Sequence, residues 1–165
     1  MADNNEAAKN KALHLLSGRD YSKNELYIKL SGIYGEKAAA SAVKLMCEHG
    51  YIDDGRYAAK LAKRYVSAKK YGKSRAALMM KQKGLDAVTI NNALAAYSDD
   101  DVISDIAELM RTKYAEKLFA ETDDPVEAKK EVQKVIASLA RRGYGYSDIK
   151  SALETVREEA EEEED

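Results

Sequence analysis

Apolar residues return every three or four positions along almost the whole chain, and this spacing is the feature that most restricts the fold. Side chains three and four residues apart share one face of an α-helix, so the spacing predicts amphipathic helices. Alternating Val, Ile and Thr runs typical of strands are missing, and a single proline interrupts the 165 residues. We therefore predict an all-α protein of about nine helical segments, near 5–17, 22–31, 36–49, 54–69, 73–83, 86–97, 100–118, 125–142 and 146–160.

Glycines and the single proline mark predicted helix ends. His49-Gly50, Lys83-Gly84 and Arg142-Gly143 each place a cation or histidine in a last turn and a glycine directly after it. Glycine accepts the left-handed conformation that follows many helices, and a cation suits the negative helix end. Asp124-Pro125 is typical of a helix start, with Asp as N-cap and Pro as the first helical residue.

Comparing the chain with itself predicts a helix–Tyr–turn–helix unit in three copies. The copies are headed by Tyr21, Tyr71 and Tyr144, which are 50 and 73 residues apart. A small residue follows each tyrosine: Ser22, Gly72 and Gly145. The residue five positions before each tyrosine is apolar: Leu16, Val66 and Leu139. The residues five and nine positions after it are apolar as well: Leu26, Ala76 and Ile149 at five, and Leu30, Met80 and Leu153 at nine. These fixed offsets indicate that the tyrosines pack between helices, with the hydroxyl at the edge of the core.

A tandem repeat predicts an elongated, curved array, because each unit packs mainly on its neighbours. We place repeat 1 at 5–52, repeat 2 at 53–98, repeat 3 at 99–157 and an acidic, disordered tail at 158–165. The tail could instead shield the basic part of the chain. No long heptad seam is present, so we expect a monomer.

The charge of the chain is unevenly distributed. The formal net charge is −2, and seven of the last eight residues are acidic, so residues 1–157 sum to +5. Ten Lys or Arg and no Asp or Glu lie between Gly55 and Leu85: Arg56, Lys60, Lys63, Arg64, Lys69, Lys70, Lys73, Arg75, Lys81 and Lys83. We call these ten cations the basic segment and predict that they bind an acidic partner. A merely solvated helix face is the alternative.

The helical spacing also predicts how the basic segment lies on the fourth helix. Arg56, Lys60, Lys63 and Arg64 should line one free flank, while Tyr57, Leu61 and Tyr65 turn toward the core. Lys69, Lys70, Lys73 and Arg75 surround the next turn and should continue the positive field. Replacing these last four with Gln should weaken binding to the partner and leave the fold intact, because exposed substitutions of this kind change stability by no more than about 0.5 kcal/mol each.

Four segments, 19–26, 50–58, 69–75 with 83–84, and 141–149, resemble the successive motifs of the RecX family of regulatory proteins, in the family's order. The resemblance runs from about Ala12 to Leu153. Lys73 stands where the family often has proline. The matching motif residues to which the resemblance gives a structural role are Tyr21, Asp53, Asp54, Tyr57, Tyr71, Gly72 and Tyr144.

The resemblance implies tandem three-helix units and a role in homologous recombination, DNA repair and the SOS response. It implies binding to the RecA–DNA filament and modulation, chiefly inhibition, of its ATPase, strand-exchange and coprotease activities. The alternative function is sequence-nonspecific binding of single- or double-stranded DNA.

Motifs of catalysis, metal binding and membrane insertion are not found in the sequence. Gly72-Lys73-Ser74 lacks the earlier glycine of a phosphate-binding loop, where Ser67 stands, and His14, Cys47 and His49 lack zinc-motif spacing. Asp53-Asp54 is interpreted as a helix cap, and Cys47 as a small core residue. We expect a non-enzymatic, cofactor-free cytoplasmic protein, since no signal peptide or apolar span is visible.

Overall fold

The computed structural model describes residues 2–164, and within that range it contains helices and connecting turns but no strand. The all-α prediction is confirmed. The helices are α1 Ala2–Gly18, α2 Lys23–Tyr34, α3 Glu36–Glu48, α4 Asp54–Ala62, α5 Lys73–Gln82, α6 Ala87–Leu94, α7 Asp99–Arg111, α8 Ala115–Leu118, α9 Pro125–Arg141 and α10 Tyr146–Glu164, with a π-helical segment at Lys63–Ala68.

Two predicted helices are divided in the structure. The segment predicted at 54–69 is α-helical to Ala62 and π-helical from Lys63, so its turns widen in the second half. The segment predicted at 100–118 ends at Arg111, and the short α8 follows. Apolar spacing cannot locate either break, because buried residues continue at helical spacing on both sides of it.

Helix ends follow the predicted chemistry. The Asp124 carboxylate accepts from the amide of Val126, and Pro125 is the first residue of α9. Gly50, Gly84 and Gly143 adopt left-handed φ angles of 74°, 79° and 94°. These glycines therefore end helices as expected.

The described chain packs as two compact units. The first contains the residues up to Ala62 together with Ala77–Leu94. Here α1, α2 and α3 pack on one another around Leu26, Leu30 and Met46, and α4 packs on α6. The predicted core residues Leu26 and Leu30 are fully buried, whereas Leu16 and Cys47 are only half-buried.

The second unit contains Lys63–Ala76 and the chain from Ala95 onward. Its core is formed by α7 packed on α10, with α9 beside them, and includes the buried Ile106, Met110, Leu139 and Ile149. Tyr144 is also buried in this core.

The third copy of the predicted repeat is displaced by one helix. The first helix packs against the third in α1–α3, α4–α6 and α7–α10. Tyr21 and Tyr71 precede the second helix of such a triplet, whereas Tyr144 lies between the second helix, α9, and the third, α10. The alignment of Tyr144 with the other two tyrosines is therefore wrong.

The acidic end of the chain also differs from expectation. Residues 158–164 continue α10 as a helix instead of forming the expected disordered tail, and Asp165 lies outside the described residues. Glutamate is a good helix former, Val156 anchors the preceding turn in the core, and Arg111 holds Glu159. These features extend the helix into the acidic run.

Candidate partner-binding surface

The basic segment begins on α4, crosses the π-helical segment and ends after α5. Its members belong to both compact units. Arg56, Lys60, Lys81 and Lys83 lie in the first unit, and the other six cations, from Lys63 to Arg75, lie in the second.

The cations on α4 already have partners. Arg56 donates through Nη2 to the Gly50 carbonyl at 3.2 Å, and Lys60 Nζ lies 3.0 Å from Asp20 Oδ2. Tyr57 and Leu61 are buried as predicted. The core face of this helix is thus confirmed, and on its exposed flank Arg56 and Lys60 each have one internal contact.

The π-helical segment presents unpaired cations. Lys63 and Arg64 are exposed, whereas the next two residues, Tyr65 and Val66, are buried. Lys69, just after the segment, is also exposed. None of these three cations forms an ion pair with any residue in the range 2–164. We call Lys63, Arg64 and Lys69 the free cations.

Lys70 is a structural cation. Its Nζ lies 2.6 Å from Asp105 Oδ1 and 3.2 Å from Glu108 Oε2, and its backbone has the left-handed φ of 53°. The hydrogen bond to Asp105 raises the pKa of Lys70 above its ordinary value, against an opposing effect of burial. The two carboxylates of α7 therefore hold the turn before α5.

Lys73 and Arg75 are likewise engaged within the second unit. Lys73 Nζ donates to the backbone carbonyl of Tyr97. The Arg75 guanidinium stacks 4.0 Å from the centroid of the Tyr71 ring. Three of the four cations that the sequence predicts to be exposed, Lys70, Lys73 and Arg75, are therefore half-buried and make internal contacts.

Arg142, predicted only as a helix-end cation, joins this turn to the end of α9. Its Nη2 and Nε donate to the carbonyls of Lys69 and Lys70 at 2.7 and 3.0 Å, and its guanidinium lies 5.6 Å from the Tyr71 ring. The family motif residue Gly72 is buried here. Tyr71 and Gly72 therefore lie in the interior of this turn, where Tyr71 contacts Arg142.

Two further residues of the family motif, Asp53 and Asp54, cap different helices. Asp53 accepts from the amide of Arg56 at 3.0 Å and caps α4 as predicted. Asp54 instead accepts from the amide of Lys23 at 3.0 Å, so it caps the first turn of α2. In the first unit, Lys81 is exposed and forms no ion pair within residues 2–164, and Lys83 is half-buried.

Within residues 2–164 no three His, Cys, Asp or Glu side chains are arranged to hold a metal ion. Over the same range, no helix combines the length and the apolar character needed to cross a bilayer.

Comparison with known proteins identifies the family. The models of the second and third three-helix domains of RecX match residues 53–94 and 112–153. The chain is 35% identical to "Regulatory protein RecX" of Vibrio campbellii, over 89% of this chain and 90% of that protein. It is 30% identical to the protein of the same name in Clostridioides difficile, over 88% of this chain and 66% of that protein.

Solved structures show the same fold. A crystal structure of RecX from Lactobacillus salivarius superposes with a TM-score of 0.84 at 22% identity and covers 95% of this chain and 99% of that one. A crystal structure titled regulatory protein RecX gives a TM-score of 0.75 at 21% identity, over 91% of this chain and 73% of that one. Together with the matched domains and the Vibrio relative, these findings show that the chain belongs to the RecX family of regulatory proteins.

Proposed function

We propose that this protein is a non-enzymatic, monomeric cytoplasmic regulator that binds the RecA–DNA filament and restrains its ATPase, strand-exchange and coprotease activities. Membership of the RecX family supports a regulatory role. The observation that carries the binding proposal is the run of free cations Lys63, Arg64 and Lys69, which no carboxylate of the described chain neutralises. A recombinase filament offers both acidic side chains and DNA phosphates to such a surface.

We propose that the free cations, and not the whole basic segment, contact the filament. Lys70, Lys73 and Arg75 are occupied by Asp105, Tyr97 and Tyr71, so their loss would weaken the second unit as well as any contact. Replacing the free cations breaks no ion pair with any of the residues that the structure describes. They are therefore the residues on which filament binding is best tested.

The test is a titration of the purified protein into the ATPase assay of its own RecA on single-stranded DNA. The wild type should suppress ATP turnover, and the triple variant Lys63→Gln, Arg64→Gln, Lys69→Gln should need about tenfold more protein for half-maximal effect. The control replaces the exposed Lys37, Lys44 and Lys130 with Gln and removes the same charge. Equal half-maximal concentrations for both triple variants would contradict binding through the free cations.

Sequence-nonspecific DNA binding is the competing function, because the same cations can neutralise phosphates. The two functions differ in their dependence on the recombinase. A regulator should bind the filament far more tightly than bare DNA of equal length at physiological salt. Equal affinity for both, with a steep salt dependence, would favour the DNA-binding protein.

A further inference from the structure

A groove of about 490 Å³ lies in the second unit between α9 and α10, with α8 at its side. Its floor is aliphatic and consists of Val132, Ile136, Ile149 and Leu153. Tyr146, which is 68% exposed, also lines it. We call it the α9–α10 groove. An apolar groove between two helices suits the apolar face of a bound peptide or helix.

The rim of the groove is positively charged. Among the described residues, four exposed cations line it, Lys117, Lys129, Lys150 and Arg157, against a single carboxylate, Glu154. None of the four cations takes part in an ion pair of the described residues. The rim is therefore complementary to a negatively charged partner.

The first unit has a groove between the corresponding helices, α2 and α3, but of different chemistry. It is lined by Lys23, Asn24, Tyr27, Ala40, Val43, Lys44 and Cys47. Val43 is its only large aliphatic residue, so it lacks the apolar floor of the α9–α10 groove. This difference makes α3 a suitable place for matched control substitutions.

We infer that the α9–α10 groove binds an acidic segment of the recombinase that inserts an apolar side chain between the two helices. The inference rests on the proposed function and identifies one part of the surface that contacts the recombinase filament. A protein segment is favoured over DNA because phosphates need cations but no apolar floor, whereas this site offers both. Two interactions hold the segment: carboxylates on the cationic rim, and the apolar side chain on the floor beside Tyr146.

The test compares binding to RecA-coated single-stranded DNA with binding to the bare DNA. The charge-reversal variant Lys150→Glu, Arg157→Glu should lose about tenfold or more in filament affinity, and the loss should shrink at high salt. Tyr146→Ala should lose about fivefold at every salt concentration, since it removes apolar contact and no charge. The control Lys37→Glu, Lys44→Glu reverses two exposed charges on α3, and circular dichroism verifies that every variant is folded.

The outcomes distinguish a failure of the groove inference from a failure of the proposed filament-binding function. Loss of filament binding in both groove variants, with binding retained in the control, supports the groove. If the wild type binds the filament and folded groove variants bind equally well, the groove inference is overturned and the proposed function stands. If the charge-reversal variant loses the same factor on bare DNA, the rim binds DNA and the inference is overturned. If the wild type does not bind the filament, both are overturned.

Discussion

The backbone amide of Gly72 donates a hydrogen bond of 2.8 Å to the carbonyl oxygen of Arg142. The two backbones approach so closely that a Cβ on Gly72 would lie 2.1 Å from the carbonyl carbon and oxygen of Gly143. A Cβ on Gly143 would in turn lie 2.5 Å from that of Arg75. Glycine is required on both sides of this contact because neither backbone leaves room for a side chain.

Gly72→Ala should therefore destabilise the protein by about 3 kcal/mol, because the new methyl group meets backbone and not a movable side chain. The free energy of unfolding in urea measures the effect. The control is Gly145→Ala, since Gly145 also follows a motif tyrosine but its Cβ would meet only Asp148 Oδ2, at 3.8 Å. Gly145→Ala should change stability by no more than about 0.5 kcal/mol. Equal losses for the two variants would contradict the close contact at Gly72.

In the first unit, a side-chain hydroxyl takes the place that the backbone amide of Gly72 has in the second unit. The Ser22 hydroxyl donates to the carbonyl of Lys83 at 2.5 Å, accepts from the amide of Glu25 and is fully buried. Ser22→Ala should cost about 2 kcal/mol, because it removes a helix cap and leaves the Lys83 carbonyl without this donor. Ser98→Ala is the matched control: Ser98 forms the same capping box on α7 but is exposed, so its loss should cost about 1 kcal/mol. A loss for Ser22→Ala no larger than that for Ser98→Ala would show that the bond to Lys83 contributes nothing.

The error in the third copy of the repeat shows what short motifs cannot resolve. Tyr71 and Tyr144 both follow one helix and precede another, but they occupy different turns of their triplets. The apolar spacing around either turn is the same, because both turns return the chain to the core. Aligning Gly84 with Gly143 gives the correct register of the second repeat against the third. The offset is then 59 residues, and it also aligns three buried residues of the second repeat, Met80, Ile90 and Leu94, with Leu139, Ile149 and Leu153 of the third.

The sequence predicted which cations cluster, but not which of them are free. The carboxylates that hold Lys70 lie on another helix, Asp105 being 35 residues away along the chain, and the Tyr97 carbonyl that accepts from Lys73 is 24 residues away. Spacing along one helix carries no information about such partners. By contrast, burial of Tyr57, Leu61 and Tyr65 depends only on which helix face meets the core, and it was predicted correctly.

Tyr144 was expected to place its hydroxyl at the edge of the core, but that oxygen is buried without a hydrogen-bond partner among the described residues. Burial is the main cause that raises the pKa of this hydroxyl above its ordinary value. Tyr144→Phe should therefore leave stability unchanged or raise it by about 1 kcal/mol, because it removes an unsatisfied polar group. Thermal unfolding measures the change, and Tyr146→Phe, at an exposed ring, should have no effect. A loss of more than about 1 kcal/mol in Tyr144→Phe would show that the hydroxyl has a partner in solution.

Arg111 pairs with the helical acidic end, since its Nε and Nη2 donate to the two carboxylate oxygens of Glu159 at 2.9 and 2.8 Å. Arg111→Gln removes this paired contact, so the run of like charges from Glu158 onward should fray the helix. Amide hydrogen exchange of residues 158–164 should then become faster than in the wild type. Lys134→Gln, which breaks only the Lys134–Glu131 pair within α9, should leave exchange at this end unchanged. Unchanged exchange in Arg111→Gln would mean that the acidic helix does not need the pair.

The pair of Lys70 with Asp105 predicts a pH dependence of stability. The pKa of Lys70 is raised in the folded protein, so its stabilising effect is fully present below the unfolded pKa of 10.5 and is lost as pH rises through the folded value. Lys70→Gln should therefore be less stable than the wild type by about 1 kcal/mol near neutral pH, and the difference should shrink above about pH 10.5. Urea unfolding of both proteins at about pH 8 and about pH 11 measures it, because other ionisations cancel in the comparison.

Lys69→Gln is the control for this dependence, since Lys69 is the neighbouring residue but its side chain is exposed and forms no ion pair within residues 2–164. Its unfolding free energy should match that of the wild type at both pH values. Glutamine keeps the backbone strain at position 70, where φ is 53°, so a loss seen only in Lys70→Gln reports the side-chain contacts with Asp105 and Glu108. A difference between Lys70→Gln and the wild type that stays constant from neutral to alkaline pH would mean that the charge of Lys70 does not stabilise the turn. Lys70 would then belong with the free cations as a candidate contact to the filament.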